Sequence, residues 1–171
     1  RTENRPLAQE RMTIQEATII SLIMGITGVA LIGYYLNPLS GILSFISLSL
    51  YAFVYTPLKK VTPLAVYVGS VPGALPALIG FVAATDTMGV IGWVLFAIQV
   101  CWQFPHFYSI AWILDDDYKR AGLKLMPLGA AKDKKGALQI VLFTCTLIPM
   151  SFAPMYFGFG SLTGAILLSV C

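Results

Sequence analysis

Long apolar stretches with almost no charge are the feature that most constrains this chain. A helix that crosses the hydrocarbon core of a bilayer needs about 20 predominantly apolar residues. Five stretches of that kind lie at roughly 17–36, 39–55, 64–85, 88–114 and 137–157, and part of a sixth begins near Ser161. Because these stretches are too long for buried strands, the sequence predicts an all-α, polytopic bundle of transmembrane helices.

The composition excludes an ordinary soluble domain. Hydrophobic residues make up 57% of the chain and charged residues only 11%, whereas soluble domains carry about 25% charged residues. The net charge of +3 is modest, and no nucleic-acid partner is expected. The chain opens on Arg1 and stops at Cys171 within an apolar stretch. We therefore expect residues 1–171 to form a single transmembrane domain that is truncated at both ends.

The basic residues predict the topology. All 11 Lys and Arg residues fall in the segments before the first, after the second and after the fourth apolar stretch. These segments lie on one side if every stretch crosses the membrane once. Since positively charged loops stay in the cytoplasm, Arg5, Lys60 and Lys124 are predicted to be cytoplasmic.

The fourth stretch carries a row of polar residues at helical spacing. Its members are Gln99, Gln103, His106 and Ser109. Polar groups at membrane depth usually face a cavity or the interior of the bundle. The row therefore indicates either a polar cavity or a set of interhelical hydrogen bonds, and the neighbouring Pro105 predicts a kink.

Three adjacent aspartates, Asp115, Asp116 and Asp117, follow the fourth stretch. A cation would relieve their mutual repulsion, and carboxylate oxygens suit Mg²⁺ held together with substrate phosphates. Spacing alone favours a solvated acidic segment paired with Lys119 and Arg120, because successive helical side chains diverge by about 100°.

A basic group shares the predicted side of the aspartates. It consists of Arg1, Arg5, Tyr55, Lys59 and Lys60. Arginine and lysine bind phosphate oxygens well, although cytoplasmic topology alone would also explain them. Basic and acidic groups on one membrane face are what a diphosphate with Mg²⁺ would require.

Four runs of the sequence resemble the heme O synthase family, a branch of the UbiA-type membrane prenyltransferases. They are RTENRPL (1–7), YTPLKKVTP (55–63), GSVPGALPALIGF (69–81) and WQFPHFYSIAWILDDDYKRAGLKLMP (102–127). The likeness extends over essentially the whole chain. The last run is the most specific, because other UbiA-type enzymes lack its Pro–His–Phe step before the acidic segment.

The resemblance implies a bundle of about nine helices and transfer of a farnesyl group from farnesyl diphosphate to a vinyl group of heme B. Asp116 and Asp117 would bind Mg²⁺ and act in catalysis, with Asp115 as a further candidate ligand. The implied diphosphate-binding residues are Arg1, Arg5, Tyr55, Lys59 and Lys60.

The resemblance also implies a heme cavity bordered by Gln99, Gln103 and a catalytic His106. The implied location is the bacterial cytoplasmic membrane, with heme A synthase as a downstream partner. The family's first aspartate-rich motif should lie just before Arg1, so we expect residues 1–171 alone to be inactive. The acidic segment also lacks the D-x-x-x-D spacing of the superfamily, since Arg120 follows Asp116 by four positions.

Two other functions remain open from the sequence. The first is a prenyltransferase of the same fold with another aromatic acceptor, such as a quinone precursor, against which the run from Trp102 to Phe107 argues. The second is a transporter or channel subunit whose polar fourth helix lines a path. That class predicts charged residues in the middle of the helices, and Glu16 and Asp86 lie only at helix edges or in loops.

Overall fold

A computed structural model of the chain describes residues 5–123, 125–126 and 132–170. Arg1 and Lys124, which belong to the predicted basic segments, lie outside the described residues. The helices in chain order are α1 (Ile14–Tyr35), α2 (Pro38–Leu58), α3 (Ala65–Thr85), α4 (Val90–Ile113), α5 (Asp115–Arg120), α6 (Lys134–Tyr156) and α7 (Leu162–Val170). Five of them, α1 to α4 and α6, are long and apolar enough to span a membrane. The predicted all-α bundle with five spans and the start of a sixth is confirmed.

Helix α1 begins three residues earlier than predicted because its N-terminus is capped. The hydroxyl of Thr13 accepts a hydrogen bond from the backbone N–H of Glu16, and the Glu16 carboxylate accepts one from the N–H of Thr13. This reciprocal pair satisfies two donors that a helix start leaves free. Helix α1 packs against α2 where Gly33 meets Gly41, and none of its residues is buried.

Helix α2 continues through Pro57 to Leu58, beyond the end predicted at residue 55. The prediction assumed that the residue before a proline avoids helical angles, but Thr56 has φ −62° and ψ −44°. The preceding turns, Leu50–Tyr55, are of the wider π type, and the N–H of Thr56 donates to the carbonyl of Tyr51. Wider turns give room to a proline ring that would otherwise clash with the carbonyl four residues before it.

Helix α3 is the centre of the bundle. Nine of its residues are buried, and it packs against α2 on one side and α4 on the other. One hydrophobic cluster lies towards its C-terminal end and contains Leu43, Leu75, Leu78 and Val82. A second lies towards its N-terminal end and contains Tyr55, Ala65, Val66, Tyr108, Ala111 and Leu125.

Helix α6 packs along α4 and is interrupted twice. Its three pieces are Lys134–Cys145, Leu147–Ser151 and Ala153–Tyr156. Pro149 and Pro154 lie in the later pieces, where each removes a backbone donor. Helix α7 follows after Ser161, whose hydroxyl accepts a hydrogen bond from the N–H of Gly164.

Candidate functional site

The ring of Tyr55 lies where α2, α3 and α4 meet. It rests on Gly69 of α3 so closely that a Cβ atom there would lie 2.6 Å from the ring carbon Cδ2. Its centroid lies 6.3 Å from that of Phe107 on α4, and the residue is buried. Glycine at position 69 therefore provides the space that fixes this ring.

Lys59 follows Tyr55 by one turn and lies over the same ring. Its Nζ atom is 5.7 Å from the ring centroid, within the range of a cation–π attraction. Lys60 is exposed beside it, and Arg5 is exposed before α1. The structure thus brings Tyr55 and Lys59 together, whereas no hydrogen bond or ion pair joins Arg5 to them within the described part of the chain.

The three aspartates of the acidic segment have different surroundings. Asp115 is buried, and its Oδ2 atom accepts a hydrogen bond of 2.7 Å from Nζ of Lys119. That hydrogen bond, with the charge of the Asp115 carboxylate, raises the pKa of Lys119 above its ordinary value. Asp116 and Asp117 are exposed at the start of α5. Only these two carboxylates of the segment are open to an external cation.

The acidic segment and the Tyr55–Lys59 pair lie at the same end of the bundle. Tyr118 of α5 and Leu58 of α2 both pack against the cluster that contains Tyr55. Among residues 5–123, 125–126 and 132–170, no three acidic, histidine or cysteine side chains come close enough to hold a metal ion. A divalent cation held at this end would therefore take its remaining ligands from water and substrate phosphates, beside an exposed Asp116 or Asp117.

The polar row of α4 is divided between two environments. Gln103 is buried against α3, where a Cβ atom on Gly73 would lie 2.7 Å from its Nε2 atom. His106 is exposed, and its ring stacks on Trp102 with centroids 4.5 Å apart and planes inclined by 17°. Gln99 is partly buried. Gln103 thus lies at a helix contact, whereas His106 lies on the open side of α4.

Asn37 is a buried polar residue between the first two spans, and the sequence analysis did not identify it. Its side-chain oxygen accepts a hydrogen bond of 2.7 Å from the N–H of Ser40, which caps α2. Its Nδ2 atom donates a bond of 2.9 Å to the carbonyl of Val82 near the end of α3. The signal was present as Asn-Pro, an N-cap residue followed by proline at the first helical position.

Comparison with known proteins identifies the family. A model of the UbiA prenyltransferase family matches residues 1–171. The chain is 45% identical over 171 residues to the protoheme IX farnesyltransferase of Cytophaga hutchinsonii, covering 100% of this chain and 60% of that protein. It is 48% identical over 155 residues to the protoheme IX farnesyltransferase of Flavobacterium johnsoniae, covering 91% of this chain and 51% of that protein.

The chain thus spans only about half to three fifths of the length of these relatives. No solved structure matches it. Its apolar helices and the family match along its whole length lead to one conclusion. The chain is part of an integral membrane protein and belongs to the UbiA prenyltransferase family.

Proposed function

We propose that this protein transfers a farnesyl group from farnesyl diphosphate to a vinyl group of heme B, which gives heme O. The observation that supports this most directly is the meeting of the Tyr55–Lys59 pair with the acidic segment at one end of the bundle. A diphosphate with a divalent cation needs both kinds of group close together. The relatives named protoheme IX farnesyltransferase indicate which prenyl donor and acceptor to test first.

The donor diphosphate would bind at this end of the bundle. Lys59 and Lys60, with Arg1 and Arg5, would supply positive charge, and the Tyr55 hydroxyl a hydrogen-bond donor. Asp116 and Asp117 would hold Mg²⁺, which when bound helps to neutralise the charge of the departing diphosphate. Asp115 is a weaker candidate ligand because Lys119 already occupies its carboxylate.

The acceptor reaction includes a proton transfer that a histidine would serve. When the allylic C–O bond breaks, its electron pair leaves with the diphosphate and a farnesyl cation remains. The π electrons of the vinyl group form the new C–C bond, and water adds to the carbon that becomes positive. That water must lose a proton, and an imidazole can accept one near neutral pH.

His106 is the only histidine of the sequence, and we assign it to the acceptor as a proton acceptor or heme contact. Its ring is exposed on α4. Gln103 and Gln99 lie one and two turns before it on the same helix and would border the heme cavity. They carry amides that can hydrogen-bond but cannot take a proton.

The decisive experiment measures the two substrates separately in the full-length enzyme. We expect His106→Gln to accumulate in the membrane and to bind farnesyl diphosphate normally, but to form no heme O. A purely structural histidine would lose only an interhelical hydrogen bond of about 0.6 kcal/mol, and glutamine could replace that bond. Heme O formation at the wild-type rate in His106→Gln would contradict the assignment.

The same assay tests the acceptor. Membranes containing the wild-type enzyme are supplied with farnesyl diphosphate and either heme B or a quinone precursor, and the products are separated by mass. We expect prenylated heme only. Prenylation of the quinone precursor in place of heme would identify the other enzyme class.

We further propose that the protein lies in the bacterial cytoplasmic membrane with its basic and acidic segments in the cytoplasm, and that heme A synthase uses its product. Single cysteines at Arg5, Lys60 and Lys124, in a background without the native cysteines, should resist an impermeant thiol reagent in intact cells. Thr87→Cys, in the loop between α3 and α4, is the matched control and should be labelled. Labelling at any of the three basic positions from outside would contradict this topology.

A further inference from the structure

The stack of Trp102 and His106 differs from the ring contacts that join the middle of α4 to other helices. Phe104 and Tyr108 contact Phe143 of α6, and Phe107 contacts Tyr55 of α2. Packing between helices explains those three residues. Trp102 and His106 instead stack on each other, one turn apart, on the exposed side of the helix. The His106 ring also lies near Phe107, but with centroids 6.0 Å apart and planes inclined by 58°, so Trp102 is the residue that covers its face.

The exposed side of α4 at His106 is poorly suited to lipid alone. A histidine within a membrane span usually faces a cavity or the bundle interior, because hydrocarbon cannot satisfy its ring nitrogens. Within the described residues, no hydrogen bond is made to the His106 ring, which leaves both nitrogens available. An available imidazole at this depth is what a polar ligand or cofactor would meet on approaching α4.

Stacking would fix the orientation of this imidazole. The second side-chain torsion of histidine has broad minima, so an exposed imidazole normally samples many orientations. A flat indole 4.5 Å away and inclined by 17° selects one of them. It covers one face of the imidazole, and both nitrogens remain open because they lie on the ring edge.

We propose that Trp102 is a positioning residue for the acceptor: its indole holds the His106 imidazole in one orientation, with the nitrogen-bearing edge free for the heme. This inference rests on the farnesyl transfer to heme proposed above and adds a residue that acts through His106. Orientation matters because a misplacement of about 1 Å in a reacting group can cost roughly 100-fold in rate.

The test is Trp102→Leu in the full-length enzyme, which removes the flat face and keeps an apolar side chain. We expect kcat/KM for heme to fall roughly 10- to 100-fold while the KM for farnesyl diphosphate is unchanged. Trp102→Phe retains a flat ring and should keep most of the activity. Should Trp102→Leu fail to accumulate, Trp102→Met replaces it with the same expectations.

Trp93→Leu is the matched control. Trp93 is an exposed tryptophan on the same helix, and its ring meets Phe96 edge-on rather than a histidine. We expect normal kinetics for both substrates in this variant. A loss in Trp93→Leu equal to that in Trp102→Leu would show that exposed tryptophans act only by anchoring α4, and it would overturn the proposal.

A double-mutant cycle on heme affinity separates positioning from a general structural role. Heme is titrated into the purified enzyme and followed by the absorbance of the bound form. We expect Trp102→Leu to weaken heme binding in the wild type but to add nothing in the His106→Gln background, since the residue acts through that histidine. Equal weakening in both backgrounds would overturn the proposal.

The outcomes also distinguish the role of Trp102 from the proposed transfer of farnesyl to heme. If the wild-type enzyme makes no heme O, both fail. If the wild type is active, His106→Gln is inactive and Trp102→Leu behaves as the wild type, then the proposed function stands and only the role of Trp102 is wrong.

Discussion

Helices α1 and α3 are alike in length and composition but opposite in their packing. They contain 22 and 21 residues, and both are apolar enough to cross a membrane. None of the residues of α1 is buried, whereas α3 buries nine. Apolar length therefore identifies a span but does not indicate which span organises the bundle.

The difference lies in small residues and in what approaches them. Gly69 and Gly73 of α3 receive the Tyr55 ring from α2 and the Gln103 amide from α4. On α1, a Cβ atom at Gly28 would meet nothing within 4 Å, and Gly33 makes a backbone contact with Gly41. Small residues permit close helix packing in membranes, and on α3 they additionally hold two candidate site residues in place.

If α3 and α4 hold the residues that act in the reaction, substitutions in the acidic segment that continues α4 should reduce the reaction rate most. We expect Asp116→Ala and Asp117→Ala in the full-length enzyme to reduce the rate of farnesyl transfer roughly 10²- to 10³-fold, because each removes charge stabilisation of the leaving diphosphate. The protein should still accumulate in the membrane. Product formation under saturating substrates measures the effect.

The control lies on α1. Glu16→Gln removes an acidic charge from the first turn of α1 but retains a side chain that can complete the capping box with Thr13. Its rate should equal that of the wild type. Near-normal turnover in both aspartate variants would show that Asp116 and Asp117 belong to a solvated acidic segment and have no role in catalysis.

The next largest effect should appear at Gly69. A methyl group there would lie 2.6 Å from the Tyr55 ring, which is itself held against Phe107. Overpacking of this kind costs about 1–3 kcal/mol, and displacement of Tyr55 would also move Lys59. We expect Gly69→Ala to lower both the thermal stability in detergent and the rate of transfer.

Two matched substitutions make that measurement specific. Gly80→Ala on α3 and Gly28→Ala on α1 place the same methyl group where nothing lies within 4 Å. Each gains about 1 kcal/mol of helix propensity without a clash, so neither should lose stability. If the Gly69→Ala variant is as stable as these two variants, then the Tyr55 ring moves aside freely and α3 does not hold it.

The sequence predicts the spans well because their length and apolarity are properties of single segments. It also predicts that the basic and acidic groups share one side, since charge distribution follows topology. The end of α2 was missed because the π-type turns before Pro57 let Thr56 remain helical. That accommodation is a local property of the backbone which residue preferences do not reveal.

The surroundings of individual polar side chains were less predictable. Spacing places Gln103 and His106 on one broad face. Side chains that are three positions apart on a helix nevertheless differ by about 60° in direction. That rotation separates a side chain buried against Gly73 from one that is exposed. Likewise, Asp115 turns towards Lys119 whereas Asp116 and Asp117 remain open. Such distinctions depend on neighbouring helices, which the spacing within one helix does not contain.

The smallest expected effect concerns two N-terminal caps. One is at the start of α1, and the other is at the start of α2, where it contacts α3. Asn37 caps α2 and also donates a hydrogen bond to Val82 of α3, whereas Thr13 caps α1 at an exposed end. We expect Asn37→Ala to lower the free energy of unfolding by about 1–2 kcal/mol, from the lost cap and the lost interhelical bond. Asn37→Ser retains a capping oxygen and should lose only the interhelical bond, about 0.6 kcal/mol.

Thr13→Ala completes the comparison. It removes a cap of the same kind from a helix end that buries no residue, and an exposed end can fray without unfolding the bundle. Its effect on the unfolding midpoint in detergent should therefore be smaller than that of Asn37→Ala. The carbonyl of Val82 keeps its bond from the N–H of Asp86 in every variant, so no Asn37 variant leaves the end of α3 without its own backbone bond. If Thr13→Ala destabilises the protein as much as Asn37→Ala, then α1 is as firmly part of the cooperative unit as α3, and the contrast between the two helices concerns burial alone.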